Sequence, residues 1–321
     1  MRYIQFGDRR VSAIGLGTWQ FGSRGWGWGR DLDAEQAKRI VRRAMDLGIT
    51  FFDTAEIYGR GRSEEILGEA LRGHREEVFI ATKVFPHHLT RGGVVRAAQR
   101  SLRRLGTDTI DLYQVHFPNP LIPLSQTMGG MSDLMNEGLV RQVGVSNFGL
   151  GRWQRAERAL GSAVISNQVH YHLLKRKAMD TLLPYAREEG RVVIAYSPLA
   201  QGVLAGRYGP GDAPGGVRAR NVLFTPRNLL NLGPFMEVLR SVAGVHGATP
   251  AQIALAWLIH DPQVIAIPGV KSVEQVEENV AAADIALSDA EWARLGDAAR
   301  AFRRTSFISA VPGMITRYLR P

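Results

Sequence analysis

Along the chain, short unbroken runs of β-branched and other apolar residues recur, each closing on a polar residue or a glycine: 50–53, 78–83, 110–116, 140–146, 164–168, 192–196 and 264–268. Continuous apolar runs of this length mark strands buried on both faces, as in a parallel sheet. Between them apolar positions return at helical spacing over 33–47, 63–71, 91–105, 124–136, 177–189, 250–260 and 272–282. With 15–18 as the first strand the count reaches eight, and regular βα alternation over eight strands predicts a closed (β/α)8 TIM barrel, with the whole chain, 1–321, as one domain. Ahead of it, 3–6 and 11–14 flank Gly7-Asp8-Arg9-Arg10, which reads as a β-hairpin capping the barrel floor. Helix starts are signalled by Ser63 with Glu65, Thr249-Pro250, and Ser288 before Asp289 and Glu291. The Gly-, Pro- and Arg-rich stretch 206–231 shows no periodicity and is too long for an ordinary connection, so it is expected to be a loop that closes over a ligand. Trp26 and Trp28, spaced by glycines after the first strand, either line the catalytic face or fold back onto the barrel.

Composition narrows the function. The 321 residues are 45% hydrophobic and 22% charged, the balance of a globular protein. No cysteine is present, which removes disulfide frameworks, thiolate zinc sites and cysteine nucleophiles. The N-terminus lacks a basic segment followed by an apolar one, and the longest apolar run, 253–259, falls far short of a membrane span, so a cytoplasmic protein without membrane contact is expected. A net charge of +10 raises the question of nucleic acid. The arginines are dispersed, however: Arg96, Arg100, Arg103 and Arg104 sit on one predicted helix as a solvated face, and a general attraction for anionic ligands is the better reading.

Several motifs mislead. Gly15-Leu16-Gly17 follows an apolar strand, but the next glycine, Gly22, lies beyond the spacing of a dinucleotide fingerprint. Ser146 is not in a nucleophile elbow. His87-His88 and His170-x-His172 lack a carboxylate partner in sequence and read as rim histidines rather than metal ligands.

Four ionisable residues fall at or just past the ends of successive strands: Asp53, Tyr58, Lys83 and His116. In a barrel those ends converge on one face. Reducing a carbonyl requires a hydride donor and an acid over the oxygen. A free tyrosine, with a pKa of about 10, is a reluctant acid until a cation stabilises its phenolate. Lys83 can supply that charge, Asp53 can hold Lys83 by an ion pair, and His116 can donate a hydrogen bond to the developing alkoxide. Singly each residue has an innocent reading as a loop cap, a solvated strand end or rim packing; together they match one mechanism.

Around these residues the sequence resembles the aldo-keto reductase superfamily: Gly-Leu-Gly-Thr-Trp at 15–19, Asp-Thr-Ala-Glu-Ile-Tyr-Gly at 53–59, Lys83, Asp-Leu-Tyr-Gln-Val-His at 111–116, Gly-Val-Ser-Asn-Phe at 144–148, Tyr-Ser-Pro-Leu at 196–199 and Ile-Pro-Gly at 267–269. The resemblance implies an enzyme that reduces aldehydes or ketones with NADPH, its tetrad on Asp53, Tyr58, Lys83 and His116. It also implies an extended cofactor across the barrel top. Ser146, Asn147 and Gln168 would then hold the nicotinamide amide, Tyr196 would stack on its ring, and Ser197, Pro198, Leu199, Gln201, Gly202 and Leu204 would follow the pyrophosphate. Gly17, Thr18, Trp19 and Asp53 complete that wall. Gly269, Lys271, Gln275, Glu278 and Asn279 match the adenosine segment, where a helix N-terminus favours an anion. Some members of the family carry arginine where Gln275 stands; Lys271, with Arg207 or Arg220, would supply the charge for a 2′-phosphate. The expected partner is a small-molecule carbonyl substrate, with neither nucleic acid nor an obligatory protein partner. The alternative is an NADPH-binding regulatory subunit on the same barrel with little turnover.

Overall fold

The computed structural model describes residues 1–305 except 213, 216, 217 and 220; Arg220 therefore lies outside the described residues. It opens with an antiparallel hairpin, β1 (Tyr3–Phe6) and β2 (Arg9–Ser12), whose register pairs Phe6 with Arg9. The turn is thus Gly7-Asp8 alone, and Arg9 and Arg10, expected in the turn, belong to the second strand. Gly7 takes a φ of +60°, and a Cβ there would collide with the Gln142 side chain, so the turn needs glycine. The hairpin turns Phe6 onto Phe51 and Phe79, with ring centroids 5.9 and 4.9 Å away. Those two residues begin the strands β4 and β5 defined below, so the hairpin plugs the N-terminal end of the barrel.

Eight parallel strands follow: β3 (Leu16–Gly17), β4 (Phe51–Asp53), β5 (Phe79–Val84), β6 (Ile110–Val115), β7 (Val140–Ser146), β8 (Ser166–His170), β9 (Val192–Tyr196) and β10 (Val264–Ile267), paired in sequence order. Parallel bridges Ile14–Ala266 and Gly17–Gly269 bring the first strand against the last and close the ring. Gly15 and Gly17 sit at this seam; a Cβ on Gly17 would lie 3.0 Å from the Ile267 carbonyl oxygen, so glycine permits the close approach. The strands are buried throughout β4, β5, β6 and β10, as their unbroken apolar runs require.

The outer ring holds α1 (Ala34–Asp46), α2 (Arg62–Ala70), α3 (Arg91–Leu105), α4 (Leu124–Asn136), α5 (Leu150–Leu160), the pair α6 (Lys177–Thr181) and α7 (Leu183–Glu188), then α8 (Pro226–Asn231), α9 (Gly233–Val245), α10 (Pro250–Ile259), α11 (Val273–Ala281) and α12 (Asp289–Ala301). Reciprocal Asp33–Gln36, Thr249–Gln252 and Ser288–Glu291 capping boxes start α1, α10 and α12. Ser63 is not a cap: Gly61 precedes α2, and the Ser63 hydroxyl is buried against Thr18 and Thr54. The span expected as one helix over 177–189 breaks at Leu182, one residue before a first turn that contains Pro184. The stretch 206–231 is not wholly irregular, because its end folds as α8 with Thr225 as N-cap. Among the described residues no single helix is long and apolar enough to cross a membrane.

Candidate active site

The C-terminal strand ends converge on a cavity of about 460 Å³. Asp53 closes β4, Lys83 is the penultimate residue of β5, and His116 follows β6 directly. Tyr58 stands in the loop after β4, and the next three residues, Gly59, Arg60 and Gly61, all have left-handed backbone, with φ of 56°, 58° and 95°. That tight reversal turns the tyrosine back over the strand ends. A Cβ on Gly59 would fall 2.7 Å from the Gly22 Cα, so two glycines facing each other let the Tyr58 loop seat against the loop after β3.

Lys83 is the hub. Its fully buried Nζ donates to Asp53 Oδ1 at 2.6 Å, to the Thr54 carbonyl at 2.8 Å and to the Tyr58 hydroxyl at 3.1 Å. The other carboxylate oxygen of Asp53 accepts from Gln168 Nε2 at 2.7 Å and from Gln114 Nε2 at 3.3 Å. Burial alone would push the Lys83 ammonium down, but Asp53 and Tyr58 outweigh it and its pKa is raised. Tyr58 is also raised: burial dominates, and Lys83 offsets it only in part. Lys83 does favour the phenolate, by its charge and its hydrogen bond, but burial and the Asp53 carboxylate together outweigh it, so the net direction is upward. His116 packs edge-on to Tyr58 with centroids 5.7 Å apart. Burial, with Lys83 nearby, pushes it down to about 3, so the imidazole is neutral near pH 7.

Every cofactor-side residue anticipated from sequence lines this cavity except Leu204, fully buried in the core beneath it, and the undescribed Arg220. Leu204 turns inward because the segment Ala200–Ala205 coils and packs its apolar side chains on the barrel. Thr18 reaches the cavity, yet its hydroxyl is bonded to the Asp53 carbonyl and Ser63. Trp19 stacks on Tyr58 at 5.4 Å and is 47% exposed, on the outer side of the phenol. The amide set is knitted together: Ser146 Oγ donates to the Gln168 carbonyl, Asn147 Nδ2 donates to Ser146 Oγ and to the His116 carbonyl, and Tyr196 donates its hydroxyl to Asn147 Oδ1. At the far end Lys271 Nζ pairs with Asp31 at 3.0 Å and Arg207 lies 3.7 Å from Glu278. Gln275 Oε1 accepts the Lys271 backbone N–H and so shapes the turn into α11.

Sequence reasoning missed three residues. Gln114, which holds Asp53, is the polar interruption in the β6 run, and that interruption was the available signal. Arg218 and Tyr208 line the cavity from a loop without periodicity. The tryptophan alternatives resolve one each way: Trp26 lines the cavity beneath the Arg218 guanidinium, 5.2 Å from its ring centroid, while Trp28 packs on the core.

The cavity's donor set suits an extended anionic dinucleotide. Ser197, Ala200, Gln201 and Gly202 all have positive φ, and for the three non-glycine residues this conformation costs about 1–3 kcal/mol each. In this run the Ala200 and Gly202 N–H groups donate to the Ser197 and Leu199 carbonyls, so the positive φ values close a tight turn along the cavity wall. Arg207, Arg218 and Lys271 supply cationic charge, and the buried Arg218 Nε has no hydrogen-bond partner among the described residues.

The profile of the Aldo/keto reductase family matches residues 13–300. The chain belongs to that family. As a member of the aldo/keto reductases it is 53% identical over 307 residues to an uncharacterized oxidoreductase of Mycobacterium tuberculosis, covering 95% of each chain. It is 37% identical over 302 residues to a methylglyoxal reductase of Escherichia coli, with 92% of this chain and 94% of the relative covered. Among solved structures, an aldo-keto reductase from Klebsiella pneumoniae in complex with NADPH superposes with a TM-score of 0.75 at 36% identity, covering 95% of this chain and 97% of that one.

Proposed function

We propose that this aldo/keto reductase reduces small aldehydes and ketones to alcohols with NADPH, using Tyr58 as the acid. The observation that carries the reading is the placement of one buried ammonium, Lys83 Nζ, within hydrogen-bond reach of both the Asp53 carboxylate and the Tyr58 hydroxyl at the floor of an open cavity. NADPH, when bound, supplies the hydride. The side chains do the rest. Tyr58 holds a proton on its hydroxyl and delivers it to the carbonyl oxygen, and Lys83 steadies the phenolate that remains. Asp53, fixed by Gln114 and Gln168, keeps Lys83 aimed. Neutral His116 has a buried Nδ1 without a partner among the described residues, so the less costly tautomer carries its proton on Nε2, which then donates to the developing alkoxide.

The cofactor would lie along the wall from Gly17 and Trp19 past Ser146, Asn147 and Tyr196 to the 197–202 turn and on to Lys271, Glu278 and Asn279. Gln168 can serve it only through its carbonyl oxygen while its amide nitrogen remains on Asp53. Lys271 and Arg207, released from Asp31 and Glu278, would meet the 2′-phosphate and favour NADPH over NADH. The chain is read as one barrel domain whose 206–231 segment covers the cofactor through Arg207, Tyr208 and Arg218. The name of the Escherichia coli relative makes small dicarbonyls the first substrates to try.

The test is NADPH oxidation followed by absorbance, over a panel of aldehydes including methylglyoxal, for wild type and Tyr58→Phe. Turnover lost in Tyr58→Phe with NADPH binding retained supports the reading. Tight NADPH binding with no turnover by wild type on any carbonyl would replace it with the regulatory alternative.

A further inference from the structure

His170 ends β8 and Tyr196 ends β9, and the two are register partners on neighbouring strands. Gln168, two residues before His170, sends its side chain into the barrel to Asp53, so His170 rises from the same face of β8. Tyr196 leaves β9 and donates its hydroxyl to Asn147 Oδ1 at 3.0 Å. Asn147 directly follows β7, and β8 lies between β9 and β7 in the sheet. The phenol ring therefore crosses from β9 to the end of β7 as a chord in front of β8. A side chain rising from β8 lies on the wall side of that chord. There the His170 imidazole stacks on the phenol, with centroids 5.1 Å apart and planes 18° from parallel. The opposite face of Tyr196 is turned toward the barrel axis and the cavity, which both residues reach and which Tyr58 and Asp53 also line. His170 is itself fixed from behind. The Leu174 N–H donates to His172 Nδ1 at 3.2 Å, so that nitrogen is bare and the His172 proton sits on Nε2, 3.1 Å from His170 Nε2. His172 is 2% exposed, and its backbone is bonded to that of Lys175 in both directions.

We infer that His170 is a positioning residue for the nicotinamide: it backs Tyr196 and fixes the plane in which that ring meets the cofactor. A tyrosine tied at its Cβ and at its hydroxyl still turns about the axis joining them, because the torsion of an aromatic ring on its Cβ is broad and neither tie lies off that axis. The bond to Asn147 therefore sets where the Tyr196 ring points but not how it is tilted. A flat partner against one face sets the tilt, and a partner anchored through buried His172 sets it to one value. With the tilt fixed, Tyr196 offers the cavity a face rather than an edge, the arrangement that a planar nicotinamide needs in order to stack and be aimed. That Tyr196 receives the nicotinamide rests on the reductase reading; the stack with His170 does not.

The test compares, by titration calorimetry, the binding of NADP+ with that of 2′-phospho-ADP-ribose, the same molecule without its nicotinamide ring. The proteins are wild type, His170→Leu, which fills the space without an aromatic face, and His170→Phe, which keeps a face without the nitrogens. His170→Leu should weaken NADP+ by about three- to tenfold, the range expected for one aromatic pair, and leave the fragment within about twofold. His170→Phe should bind both ligands as wild type does. Equal weakening of both ligands in His170→Leu means a merely structural role and overturns the inference. Tighter NADP+ in His170→Leu means that His170 occupies the ring's own place, and overturns it too, as does a His170→Phe protein no better than His170→Leu. If His170→Leu does not fold, wild type decides by NMR: the His170 ring signals should keep the shielding of the Tyr196 ring when NADP+ binds, and their move to free-imidazole positions overturns the inference. Wild type that binds NADP+ no tighter than the fragment overturns the placement of nicotinamide on Tyr196 and this inference with it. Ring-dependent binding without turnover on any carbonyl overturns the reductase reading alone.

Discussion

Replacing Tyr58 with phenylalanine removes one oxygen atom, and the surroundings of that atom set the expected loss. Among the described residues the hydroxyl accepts a single hydrogen bond, from Lys83 at 3.1 Å, and Lys83 keeps Asp53 and the Thr54 carbonyl when it is gone. The fold should therefore lose no more than about 0.5–1.5 kcal/mol, the net worth of one ordinary hydrogen bond. The ring remains, so its stacking with Trp19 and its edge contact with His116 persist, and NADPH affinity by fluorescence titration should stay within about threefold. Chemistry is different. A positioned acid contributes about 10²–10⁴ to the rate, equivalent to roughly 3–5 kcal/mol of barrier. The assay is kcat for aldehyde reduction at saturating NADPH. Because Tyr58 is raised by burial, it stays protonated above pH 10, and wild-type reduction should show no basic limb between pH 6 and 9 attributable to this group. A Tyr58→Phe enzyme that retains kcat within about threefold of wild type would refute the assignment of the acid.

Lys83→Met leaves the Asp53 carboxylate buried with only two amides, and should destabilise the protein by about 3–5 kcal/mol in urea unfolding; adding Asp53→Asn should recover part of that loss. His116, pushed down to about 3, should show no imidazole titration between pH 5 and 9 by NMR. Its folded pKa lies below the unfolded value of about 6.5, so the unfolded state binds the proton first and this group's contribution to stability falls as pH drops from about 6.5 toward 3. Lys271→Ala should weaken NADPH by about tenfold while leaving NADH nearly unchanged, and Asp31→Asn, which frees Lys271, should tighten NADPH modestly; equal effects on both cofactors would remove Lys271 from the 2′-phosphate site.

The sequence alone determined what is repetitive or local. Buried strands leave their trace as unbroken apolar runs, helices as spacing and caps, and eight βα units suffice for a barrel because right-handed crossovers leave few alternatives. The same logic brought Asp53, Lys83 and His116 to one face, since residues at the ends of parallel strands share that face whatever the loops do. Helices α5 and α9 escaped notice, and the proline break inside 177–189 was read through. Only the tertiary structure decided which groups meet across long separations. Lys271 with Asp31 and Arg218 with Trp26 are contacts between loops whose sequence carries no periodicity, and Gln114 and Gln168 meet on a single carboxylate oxygen only because β4, β6 and β8, each legible as a strand, are brought round the closed barrel. The balance at Tyr58 belongs there too. A sequence shows that a lysine is available to stabilise a phenolate, but whether desolvation outweighs it depends on how completely the fold removes water, which is a property of packing in three dimensions.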